Sequence, residues 1–157
     1  MWITLLILMK TKEEIIKNNT EFLQDIENTI GSIYLNMQHQ IYEEFSNYPY
    51  EPRYRLLKDE LQCQLRIIDH ILEGIQLYKA LQKEKGSIKI FKVEKIEKEL
   101  KTYIRFLYRD IYIITVELTK LLSENHSITI NQLLQKTIEE LKEVNTKLKN
   151  YLDETKL

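Results

Sequence analysis

In 157 residues the sequence has one cysteine, two prolines and three glycines. Cys63 alone cannot close an intrachain disulfide, and a cysteine zinc cluster is excluded with it. A single thiol is compatible with a reducing compartment, and the chain is expected in the cytoplasm. So few prolines and glycines leave an all-β fold without the turns it needs. Gly31, Gly74 and Gly86 stand too far apart to build a glycine-rich phosphate loop. A Gly-x-Ser-x-Gly elbow is missing, as is any cysteine–histidine spacing of a known pattern. An excess of one charge is also missing: 23 basic residues against 24 acidic ones leave a net charge of −1. That balance argues against a protein that coats a polyanion, although it leaves room for a local basic patch.

No apolar run is long enough to cross a bilayer. The longest, from Trp2 to Met9, is about half the ~20 residues a spanning helix requires. It lacks the basic start and small-residue cleavage site of a secretory signal. Either translation begins at Met9, or the run docks against protein. Docking is the expectation, with Trp2 and Leu5 among the contact residues.

What is abundant is apolar residues at helical spacing, in a chain that is 43% hydrophobic and 30% charged. The length sets an expectation of one domain. Beyond an apolar extension over 1–10, four segments carry the pattern, at about 12–45, 52–85, 91–123 and 129–155. Ile26, Ile30, Ile33, Met37 and Ile41 mark the first, and Leu57, Leu61, Leu65, Ile68 and Ile75 the second. Leu100, Leu107, Ile111, Ile114 and Leu118 mark the third, and Leu134, Ile138, Leu141, Val144 and Leu148 the fourth. Pro52 suits a first helical turn, Gly86 a helix C′ position and Thr129 an N-cap. Long helices joined by short links must run antiparallel, and one stripe each is best buried in a bundle. The expected fold is therefore all-α, an up-down-up-down four-helix bundle of long antiparallel helices. If the first ten residues continue the first helix, they overhang the bundle by ~15–18 Å.

Metal chemistry finds little support. A di-iron bundle wants Glu-x-x-His, but the residues three before His39, His70 and His126 are Asn36, Ile67 and Ser123. The three histidines also fall at different heights on the rods, so they cannot share an ion. Neither a metal nor another cofactor is expected. On the second helix, Asp59, Glu60, Arg66, Asp69, His70 and Glu73 read as salt-bridge partners on a solvated face. Cys63, Ile67 and Ile71 form a second apolar row, with Cys63 expected as a small filler.

The third helix departs from a plain bundle. Stepping 100° per residue from Arg105, its apolar stripe centres about 200° away. The opposite face carries Lys98, Lys101, Arg105, Tyr108, Arg109 and Tyr112, continued by Val116 and flanked by Phe106 and Ile113. Segment 83–101, with seven lysines and four glutamates, makes that end of the bundle locally basic. A surface helix with arginines stacked on neighbouring tyrosines would explain the face. So would a subunit interface, where Tyr, Phe and Arg are enriched. A nucleic-acid surface on Lys98, Lys101, Arg105 and Arg109 would too. The expected function is a non-catalytic interaction or assembly subunit that forms homo-oligomers. Its contact residues are Arg105, Tyr108, Arg109, Tyr112 and Val116, with Trp2 and Leu5 at the terminus. A separate protein partner, a nucleic-acid-binding accessory role, or an enzyme site assembled between subunits around His70 and Glu73 are the alternatives.

Overall fold

A computed structural model describes residues 2–46, 52–88 and 93–154; the side chains of 2–13, 15–16, 84–88, 93–94 and 96 lie outside that description. The described residues form four helices: α1 (Trp2–Ser46), α2 (Pro52–Ile88), α3 (Val93–Ser123) and α4 (Ile128–Glu154). They form the expected four-helix bundle, and no strand occurs among the described residues. The closest pairings are α3 with α4 and α1 with α2; α1 and α4 meet along a shorter line, and of these neighbouring pairs α2 and α3 touch least. No described helix is long and apolar enough to cross a membrane.

The predicted stripes fill the interior. Leu23, Ile30, Leu61, Ile68, Ile104, Ile111, Val144 and Leu148 are all essentially inaccessible. Burying a Leu or Ile of this kind contributes ~1.5–3 kcal/mol, which is why segments of modest helix propensity fold as long rods. Pro52 opens α2, where its fixed φ fits and its missing N–H costs no bond.

Two expected boundaries move. α2 runs through Gly86 to Ile88, so Gly86 is an interior helical residue and not a C′ cap. A glycine in a helix costs only ~1 kcal/mol against alanine, too little by itself to end a helix. α4 starts at Ile128, and its N-cap is Ser127 rather than Thr129: the Ser127 Oγ accepts the Ile130 backbone N–H at 3.3 Å. The turn before it is made by Asn125 in the left-handed region, φ 56°, a conformation asparagine tolerates better than most residues. Asn131 clamps that turn, accepting from the His126 N–H and donating to its carbonyl, both at 3.1 Å.

Aromatic pairs close the end of the bundle where α2 and α4 finish. Phe22 of α1 stacks on Tyr151 of α4 with centroids 4.4 Å apart, and Tyr78 of α2 stacks on Tyr103 of α3 at 4.2 Å. The Tyr151 hydroxyl donates to Asn19 at 2.5 Å, and Gln82 donates to the Tyr78 hydroxyl at 3.3 Å. Burial pushes the Tyr78 and Tyr151 phenols up to about 12 and raises Tyr103 as well. Between α1 and α2, Lys79 pairs with Glu27, donates to Gln24 at 2.5 Å, and stands one turn from Gln76, which donates to Glu27.

Those contacts set the register of the rods. With Lys79 opposite Gln24, the end of α2 at Ile88 falls level with about residue 15 of α1. With Tyr151 opposite Asn19, α4 ends at nearly the same height. Residues 2–14 of α1 therefore continue as helix for ~20 Å past the ends of the other described helices.

Candidate interaction surface

The buried arc of α3 is wider than its sequence stripe suggests. Ile104 and Thr115 are buried beside Leu100, Leu107, Ile111, Ile114, Leu118 and Leu121. Thr115 satisfies its hydroxyl by donating to the Ile111 carbonyl at 2.8 Å. The arc widens because α3 covers neighbours on two sides, α4 closely and α2 more loosely. Its edge takes in Tyr108, which is half-buried and packed against the core. The Tyr108 backbone carbonyl accepts from Asn145 of α4 at 3.2 Å. Val116 and Lys101 are half-buried too.

What remains outside is a compact face. Lys98, Arg105 and Arg109 are exposed. Between and beside the arginines lie Phe106, Tyr112 and Ile113, exposed to 50%, 57% and 50%. The Arg109 guanidinium lies 5.3 Å from the centroid of Phe106. The cation–π contact expected with a tyrosine is thus made with the phenylalanine one turn back, which leaves the Tyr112 ring uncovered. Arg109 also stands 3.9 Å from Asp110, an exposed pair of little energetic weight. Trp2 and Leu5 belong to the α1 extension, but their side chains lie outside the described residues.

A second surface was not visible as a unit in the sequence. On the α1–α2 side a shallow cleft of ≈ 570 Å³ opens. α1 contributes Asn28, Gly31 and Leu35, and α2 contributes Asp69, Leu72 and Glu73. The space over Gly31 is open: a Cβ there would meet nothing within 4 Å. Leu35 is well exposed at its rim. Only register brings these residues together, since forty positions separate the two rows.

The remaining candidates are surface features. Asp59, Glu60, Arg66, His70 and Glu73 are exposed and Asp69 half so, as a solvated face requires. His70 stands 3.6 Å from Glu73 and His39 3.2 Å from Glu43, each on its own helix. His126 sits in the α3–α4 turn, its Nε2 2.8 Å from the Leu121 carbonyl. Among the described residues no three His, Cys, Asp or Glu side chains gather as a metal site would need. Cys63 is exposed, not a core filler. Its row meets the interior only at Ile71, while Ile67 above it is already partly in solvent.

Comparison with known proteins finds no family model, no curated protein and no solved structure that matches this chain.

Proposed function

We propose that this chain is a non-catalytic assembly subunit of the cytoplasm, which self-associates through the outer face of α3 and uses the α1 extension as a second contact surface. One observation carries the reading. On the side away from its buried arc, α3 presents Tyr112 beside Arg105 and Arg109, flanked by Phe106 and Ile113, all three apolar side chains half or more exposed. Monomeric proteins scatter exposed apolar groups singly, whereas a contiguous group marks a contact site. Aromatic residues and arginine are the types that dominate such sites. The same basic residues suit phosphates, and Phe106 and Tyr112 suit stacked bases, but an exposed aliphatic Ile113 adds nothing to either. It favours a protein partner, and the simplest one is a second copy.

Sedimentation of the full chain across a concentration range tests this. The expected result is a mass above that of the monomer which falls when Arg105→Glu and Arg109→Glu are combined. A second preparation lacking residues 1–8 separates the contribution of the extension. A monomer at every concentration, with the α3 face intact, would defeat the reading. Binding of a single-stranded oligonucleotide that weakens steeply with salt and is lost in the arginine variant would point to nucleic acid instead.

A further inference from the structure

Self-association through α3 leaves open what covers that face. We propose that the Arg105–Tyr112 face of α3 docks in the α1–α2 cleft of a second copy of this chain; the inference rests on the self-association reading above and names its partner surface.

The two surfaces are complementary in charge. The α3 face offers exposed Lys98, Arg105 and Arg109. The cleft offers Asp69 and Glu73, and Glu27 deeper in is already matched by Lys79. No lysine or arginine lines the cleft. The spacing is complementary as well. Arg105 and Arg109 are four residues apart on one helix, as are Asp69 and Glu73 on another. Both pairs therefore repeat at ~6 Å along the rod, so two like-spaced ion pairs form in a single register. Beyond the charges each surface has apolar area to exchange: Phe106, Tyr112 and Ile113 on α3, Leu35 and Leu72 in the cleft. A groove between two packed helices is a common seat for a third helix with anchors at i, i+4 and i+7, the spacing of Arg105, Arg109 and Tyr112. The absent side chain of Gly31 lets such a helix approach the floor.

The geometry also fixes the kind of assembly. The cleft lies between α1 and α2, and the face lies on α3, so the two sit on different sides of one bundle. Face and cleft are different patches, and the contact is heterologous. Each copy has a free face and a free cleft after docking, so growth continues until a ring closes or a filament forms. A self-complementary α3–α3 dimer would stop at two.

Charge reversal on each side separates the possibilities. The proteins are the full chain, Arg105→Glu with Arg109→Glu, Asp69→Lys with Glu73→Lys, and an equimolar mixture of the two variants. None of the four positions is a core residue, and far-ultraviolet circular dichroism confirms that each variant remains helical. Wild type should reach masses above a dimer with rising concentration. Each variant alone should associate at least about tenfold more weakly, since like charges then face each other at both positions. The mixture should regain wild-type mass, because each reversed surface meets its opposite on the other variant. If the arginine variant dissociates while the Asp69/Glu73 variant keeps its wild-type mass, the cleft is not the partner surface and self-association through α3 still stands. If both variants dissociate and the mixture stays dissociated, face and cleft do not meet and the docking is refuted. A wild-type monomer throughout would remove the self-association reading itself.

Discussion

The Glu27–Lys79 pair gives the sharpest test of how α1 and α2 are aligned. Its side chains are only 14% and 19% exposed. Lys79→Met keeps most of the apolar stem, removes the ammonium, and leaves the Glu27 carboxylate with Gln76 as its donor at 3.3 Å. For solvated pairs the loss of one partner costs ~0–1 kcal/mol. For fully buried pairs it costs ~3–5 kcal/mol, because a lone charge is stranded. Exposures this low, but not zero, place the cost at about 2 kcal/mol. In a domain of this size that lowers the melting temperature by roughly 4–8 °C. Urea denaturation followed by far-ultraviolet circular dichroism measures it directly. Glu27→Gln added to Lys79→Met should recover about half of the loss, since no charge is then stranded, and because Glu27→Gln alone strands the Lys79 ammonium the cycle should give a coupling larger than ~1 kcal/mol. The cost should also change little with salt, because screening acts weakly on a shielded pair. A Lys79→Met protein within ~0.5 kcal/mol of wild type would show a solvated pair and would refute the reasoning.

Three further outcomes follow from the same structure. Gly31→Ala should stabilise by ~0.5–1 kcal/mol, since the new Cβ meets nothing, and by more than Gly74→Ala, whose Cβ would lie 3.4 Å from the Tyr103 hydroxyl; a lower urea midpoint for Gly31→Ala would contradict the open cleft. Ser127→Ala should cost ~1 kcal/mol by removing the cap of α4, while Thr129→Ala costs no more than a few tenths; equal losses would return the cap to Thr129. Tyr78 and Tyr151 bind their protons more tightly folded, at about 12 against an ordinary 10.0. Their contribution to stability is whole below pH 10 and is lost as the pH rises from there through about 12. Ultraviolet titration of tyrosinate should show a late-ionising fraction that Tyr78→Phe with Tyr151→Phe diminishes and that Tyr103, also raised by burial, keeps from vanishing; a single early transition would disprove the burial.

The sequence made the rods legible because each buries one stripe, and a stripe is a one-dimensional pattern. Ile30, Ile68, Ile111 and Leu148 announce themselves by spacing, and all four are buried. Ile104 and Tyr108 were harder. Both lie at the margin of the stripe, and only the closeness of α4 decides how far the buried arc extends. Cys63 was misplaced for the same reason: its row enters the interior one turn later than spacing suggests. Cross-helix partners were not legible at all. Phe22 with Tyr151, Glu27 with Lys79, and the two rows of the α1–α2 cleft depend on the vertical offset of one rod against another. That offset is set by packing and link length, neither of which leaves a periodic trace. The outward face of α3 was legible as a composition, but its division into a half-buried Tyr108 and an open Tyr112 was not.

The unequal seams of the bundle give it a grain. α1 with α2 and α3 with α4 form two tight hairpins, joined along α1 and α4 and only lightly along α2 and α3. On the light side the main fastening is the Tyr78–Tyr103 stack near one end. The chain itself passes from α2 to α3 at the end that carries this ring pair, so that end of the light seam is doubly held and the opposite end, where α2 begins and α3 finishes, is the least fastened edge among the described helices.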